Sequence, residues 1–137
     1  MIAGVGSVAV LVKDARKSAV WYRDKLGFEV LSMEGHGVFV RAGGPGGVLI
    51  HLCGRCDAWE NDHPGGRTGI WLRCGEVGVR RNPKTGVVVP SSDPELVEKT
   101  YEELKRRGVE FREPLTTASW GNYAILADPD GNEFEIS

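Results

Sequence analysis

The chain is short of the features that mark several protein classes. No stretch approaches the roughly 18 uninterrupted apolar residues of a membrane-crossing helix, so no membrane partner is expected. Cysteine is scarce and its count of three is odd, so a disulfide framework cannot pair them all. Met1 to Ser7 lacks the basic region and long apolar core of a signal peptide, and reduced thiols in the cytoplasm are the expectation. Neither sign of charge dominates: the formal net charge of -2 gives no electrostatic basis for binding nucleic acid. There is no Gly-x-Ser-x-Gly for a serine-hydrolase elbow. The glycine-rich Gly43-Gly44-Pro45-Gly46-Gly47 lacks the Lys-Ser/Thr ending and following helix of a phosphate loop, so it reads as a turn between strands.

What remains is an ordinary globular composition, 41% apolar and 26% charged, over 137 residues. That length suits one domain with its own core. Val8 to Val12 is a short β-branched run and predicts a strand. Asp14 then caps a helix whose Ala15, Ala19, Tyr22 and Leu26 recur at helical spacing until Gly27 stops it. Strands follow at Phe28 to Met33, Gly37 to Arg41 and Val48 to Leu52. The second half repeats the order. Val87 to Val89 reads as a strand, and Asp93-Pro94 opens a helix that Gly108 closes. Leu96, Val97, Thr100, Tyr101 and Leu104 form the apolar stripe of that helix. Strands are expected near Val109 to Arg112, Asn122 to Ala127 and Glu133 to Ile136, the last two joined by the turn Asp128-Pro129-Asp130-Gly131.

Residues repeat as well as elements. Trp21-Tyr22-Arg23 and Leu26-Gly27-Phe28-Glu29 echo Thr100-Tyr101-Glu102 and Gly108-Val109-Glu110-Phe111. The expected architecture is α+β: two βαβββ modules of mixed sheet forming a cupped half-barrel site, in a single domain over 1–137. Module one covers about 1–53, a linker with an extra strand about 54–84, and module two about 85–137. A second register stays open, in which module two starts at Thr68-Gly69-Ile70 and Arg80 to Gly86 is an insertion.

Val12-Lys13-Asp14 with Trp21 to Phe28, Tyr101 to Phe111, and Trp120-Gly121 with Asp128 to Glu135 together resemble the vicinal-oxygen-chelate superfamily of glyoxalases, bleomycin-resistance proteins and extradiol dioxygenases. Only Gly54 to Thr85 is poorly covered. In that family four strand positions hold a divalent metal through His, Glu or Gln, and substrate oxygens chelate it. Carried over residue by residue, these positions are Ser7, His51, Gly86 or Gly69 by register, and Glu135. Two of the four suit a metal. The resemblance therefore implies either one divalent metal (Zn, Ni, Mn or Fe) on His51 and Glu135, or none.

Alternation along the strands puts His51 with Cys53, and Glu133 with Glu135 and Ser137, so His51 and Glu135 are expected to face a common cavity. Phe39, Trp71, Trp120 and Tyr123 are candidate walls for a substrate and equally candidates for core or interface. Cys53 and Cys56, with His63, have metal or redox spacing, but no second pair follows and ordinary reduced thiols are favoured. His36 reads as an exposed turn residue.

The expected function is binding of a small organic molecule. One reading is a metal-assisted lyase, isomerase or dioxygenase with His51 as ligand and Glu135 as catalytic base. The other is a metal-independent protein that sequesters an antibiotic or metabolite, and a regulatory or purely structural module is a third. A homodimer is expected, because half-barrels leave strand edges open.

Overall fold

The computed structural model describes residues 1–35, 37–54, 63–76, 78–81 and 83–137, with only the backbone described at 79, 80 and 89–91. The chain divides into two compact units, Met1–Gly66 with Pro129–Asn132, and Arg67–Asp128 with Glu133–Ser137.

The first unit holds β1 (Val8–Leu11), α1 (Ala15–Leu26), β2 (Glu29–Glu34), β3 (Gly37–Arg41) and β4 (Leu49–Cys53). Asp14 caps α1 by accepting from the Lys17 N–H at 3.1 Å, and Gly27 ends it in the left-handed region at φ 74°. α1 packs on β2, β3 and β4. Its Ser18, Ala19 and Tyr22 are buried with Val38, Val40, Ile50 and Leu52, and each large apolar side chain so buried contributes about 1.5–3 kcal/mol. The sheet order is β1-β4-β3-β2. β4 runs parallel to β1 and antiparallel to β3. The turn between β3 and β4 is one short 3-10 turn at Gly44–Gly46. Gly47 is required there, because a Cβ would sit 1.6 Å from the Ala42 carbonyl oxygen.

The second unit holds β5 (Gly66–Leu72), β6 (Gly78–Arg81), β7 (Val88–Ser91), α2 (Pro94–Arg106), β8 (Glu110–Ala118), β9 (Gly121–Ala127) and β10 (Asn132–Ile136), the strand ends at 66 and 132 belonging to the first unit. Its four-stranded sheet has the order β5-β10-β9-β8. α2 starts on Asp93, whose carboxylate accepts from the Glu95 N–H at 2.9 Å. Val97, Tyr101 and Leu104 of α2 are buried with Leu126, Phe134 and Ile136, and the Tyr101 and Phe111 rings meet edge to face at 4.6 Å. Each four-stranded sheet is thus mixed, open and backed by one helix, which is the α+β architecture read from the sequence.

Three expectations need correction. The second sheet takes β5 as its opening edge strand, as in the register beginning at Thr68-Gly69-Ile70. The strand at Val88–Ser91, expected to open a module at about 85, pairs with β6 in a separate hairpin. Pro90 lies in that strand without an N–H to donate, and proline is confined to edge strands and ribbons. β8 runs on to Ala118, well past Arg112, because it is an edge strand and tolerates Pro114. Leu96, placed in the buried stripe of α2, is 40% exposed. It lies over Gly75, where a Cβ would come within 2.7 Å of Leu96 Cδ1.

Candidate functional site

His51 occupies the middle of β4, with Ile50 and Leu52 on either side turned into the α1-backed core. The register pairs His51 with Ala9 of β1 and Phe39 of β3. Paired residues point to the same side of a sheet, so the imidazole and the Phe39 ring share the face opposite α1. They stack with centroids 4.7 Å apart and planes 15° from parallel, both only part-buried. Each ring therefore covers one face of the other, and the pair forms a stacked aromatic unit that carries one imidazole. Cys53, two residues on, is buried.

In the second unit Phe134 and Ile136 turn toward α2, which leaves Glu133 and Glu135 on the other face of β10. The Ser137 hydroxyl donates to Glu135 Oε1 at 3.2 Å and orients that carboxylate. Register places Ile125 beside Glu135 and Glu113 beside Ile125, so these share its face. Glu113 also receives Arg67 Nη2 at 3.1 Å, although β10 and β9 separate their strands. Edge strands of a flat four-stranded sheet stand about 14 Å apart at roughly 4.8 Å per spacing, so both side chains extend toward each other to meet. Trp120 and Tyr123 stack at 5.2 Å and 27° at the turn into β9. Trp71 directs its indole N–H to the Ser137 carbonyl oxygen at 3.1 Å.

The structure therefore joins His51 to Phe39, Trp120 to Tyr123, and Glu135 to Ser137. The sequence reading named most of these residues but missed their pairing. For His51 and Phe39 a signal existed, since both are equidistant from Pro45 in the intervening turn. For Arg67 and Glu113 none did, because their contact spans two unrelated edges. His36 and Cys56 lie outside the described residues. His63 is exposed.

A divalent metal needs three or four donors. Of the remaining family ligand positions, Ser7 is exposed ahead of β1, and both Gly69 and Gly86 lack a side chain. Among the described residues no group of three or more His, Cys, Asp or Glu could hold an ion. These donors do not fit the family's metal centre.

Two sheets, each following a strand-helix-strand-strand-strand pattern with the last strand beside the first, define a two-module α+β protein. The family model of the Glyoxalase/Bleomycin resistance protein/Dioxygenase superfamily matches residues 4–136, and the chain belongs to that superfamily. It is 25% identical to the uncharacterized protein YetH of Bacillus subtilis, over 98% of this chain and 97% of that one. A superfamily member from Sphaerobacter thermophilus superposes with a TM-score of 0.68 at 29% identity, covering 99% of this chain and 97% of that one. The antibiotic binding protein TnmS3 from a Streptomyces species shares the fold with a TM-score of 0.68 at 24% identity, covering 99% of this chain and 95% of that one. No helix among the described residues is long and apolar enough to cross a membrane.

Proposed function

We propose that this protein binds and sequesters a small, flat organic molecule, and does so without a protein-held metal. The observation that carries the reading is the His51–Phe39 stack on the face of the first sheet opposite α1. A planar ligand set against that stack buries apolar area on both partners, at about 25 cal/mol per Å², less the cost of association. The imidazole brings ring nitrogens to that wall, a polar chemistry that Phe39 alone does not offer. That a protein of the same fold binds an antibiotic supports this reading.

A second reading is favoured by one contact. The Ser137 hydroxyl fixes Glu135 Oε1 and leaves the other carboxylate oxygen to act as a base, abstracting a proton next to a substrate carbonyl.

The test is calorimetric titration of dicarbonyls, catechols and glycopeptide antibiotics into wild type, His51→Ala and Phe39→Ala, each with and without chelator. A hit is expected to lose at least about tenfold in affinity with either substitution, roughly 1.4 kcal/mol, and to ignore the chelator. Affinity indifferent to both substitutions would overturn the stack as the binding surface. Loss of binding on chelation, with stoichiometric metal in elemental analysis, would overturn the metal-free mode. Turnover of a hit that Glu135→Gln abolishes while binding survives would establish the second reading instead.

A further inference from the structure

Arg67 lies on β5 and Glu113 on β8, the two edges of the second sheet, with β10 and β9 between them. Glu133 and Glu135 stand on β10, the strand next to Arg67. The guanidinium nevertheless pairs with Glu113, two strands further on, through Nη2 at 3.1 Å. A contact of that span requires both side chains to lie along the sheet face rather than stand out into water. Register fixes what lies along the way: Glu113 is beside Ile125, and Ile125 is beside Glu135. Ile125 is 7% exposed although it is turned away from α2. The paired side chains themselves are 74% and 41% exposed, so one side of the bridge faces water.

That exposure sets the strength of the bridge. An ion pair between exposed side chains is favoured over its separated form by no more than about fivefold. Holding two long side chains extended also costs rotamer freedom. The pair is therefore closed for most of the time and opens without disturbing the sheet beneath it. Its attraction is also screened by salt, which an apolar clasp would not be.

We propose that Arg67 and Glu113 form an ionic strap across the face of the second sheet opposite α2, and that access to Ile125 and the Glu135 carboxylate depends on its opening. Closed, the strap lies over Ile125 and the neighbouring β10 carboxylates. Open, it frees that face to water or to a solute at little cost to the fold. Access is thereby tied to ionic strength. The strap is independent of the His51–Phe39 stack, which belongs to the other sheet.

Hydroxyl-radical footprinting of the full chain tests this, with oxidation of Ile125 read by peptide mass mapping and normalised to the exposed Ile2. Salt is varied between about 0.01 and 1 M, where the screening length falls from about 30 to about 3 Å. In wild type, Ile125 oxidation is expected to rise about twofold to fivefold across that range. Arg67→Ala and Glu113→Gln should each show the raised rate already at low salt and lose the salt dependence. The swapped pair, Arg67→Glu with Glu113→Arg, should restore both the protection and its salt dependence. Phe134, which is buried toward α2, should stay protected in every variant and so reports an intact second unit. Where a variant exposes Phe134, the salt series on wild type decides alone. Ile125 oxidation that ignores salt in wild type overturns the proposal. So does a rate unchanged by both single substitutions, and so does a swapped pair no better protected than the singles.

Discussion

Asn132 reaches across 121 residues of sequence to donate from Nδ2 to the Leu11 carbonyl oxygen at 2.8 Å. Its Oδ1 accepts from the Gly65 N–H at 2.9 Å, and the residue is 4% exposed. One side chain thus ties the end of β1 to the segment entering β5. Asn132→Ala removes both bonds and strands a buried donor and acceptor, at about 1–3 kcal/mol. Thermal denaturation should report a drop of about 3–5 °C for each kcal/mol in a chain of this size. Asn132→Asp should be no milder, because a carboxylate would oppose the Leu11 carbonyl. An aspartate variant as stable as wild type would show that the bond to Leu11 contributes nothing.

The helix α2 carries its own acid-sensitive ion pairs. Glu103 accepts from Arg106 at 2.6 Å and from Arg107 at 2.8 Å. The hydrogen bonds from Arg106 and then Arg107 hold its carboxyl down at about 2, below the usual 4.5. A depressed carboxyl pKa stabilises the folded state above the unfolded value, and this is lost as pH falls through the folded one. The contribution should therefore be complete above about pH 5 and fade between about 4.5 and 2. Glu103 faces solvent, so the effect is modest and salt-sensitive. Glu103→Gln should flatten part of the acid limb of a melting-temperature profile while leaving melting above pH 5 lowered by a constant amount. An acid limb identical in both proteins would show that the pairs do not contribute in solution.

Much of this fold is legible where local chemistry decides it. Asp14 and Gly27 bound α1, and Asp93-Pro94 and Gly108 bound α2, because capping needs only residues within a turn of each other. The final hairpin follows from Asp128 to Gly131 for the same reason. Choosing between β5 and β7 as the opening strand of the second sheet required knowing which one pairs with β10, and β-branched composition alone favours the wrong one. Leu96 stands four residues before Thr100, a helical spacing, yet it is 40% exposed and lies over Gly75, a packing that spacing does not encode. The candidate site divides similarly. Alternation gave the faces of His51 and Glu135, whereas the stacking partner of each aromatic depended on register across a turn.

Cys74 is buried against α2, and that burial raises its thiol pKa despite a hydrogen bond with Thr100 that acts the other way. Its thiolate fraction near pH 8 is accordingly below that of an ordinary cysteine, and the thiolate is the reacting species. Peptide mapping after brief iodoacetamide treatment at pH 8 should find Cys74 and the buried Cys53 largely unmodified in the native protein, and both modified after denaturation. Rapid native labelling of Cys74 would contradict the packing of its thiol.

A polar junction of the second unit converges on the Ser137 carbonyl oxygen. It accepts from Ser92 Oγ at 2.6 Å, from the Trp71 indole N–H at 3.1 Å and from the Cys74 N–H at 3.3 Å. Ser92 Oγ also accepts from the Cys74 N–H at 3.1 Å, so this hydroxyl both gives and receives a bond while 4% exposed. The junction pins the ends of β5 and β10 to the entry of α2. Ser92→Ala should cost about 1–3 kcal/mol, since Cys74 keeps only its longer contact and the carbonyl loses its shortest donor. Trp71→Phe keeps an aromatic ring but loses the indole donor, and should cost about 0.5–1.5 kcal/mol. Both substitutions remove donors to one acceptor, so the double variant should depart from the sum of the singles when measured by urea denaturation. If Trp71 serves stability in this way, Trp71→Phe should leave the affinity of any ligand of His51 nearly unchanged. A ligand that weakens tenfold with Trp71→Phe, while stability stays at the wild-type value, would return Trp71 to the binding surface and remove it from the junction.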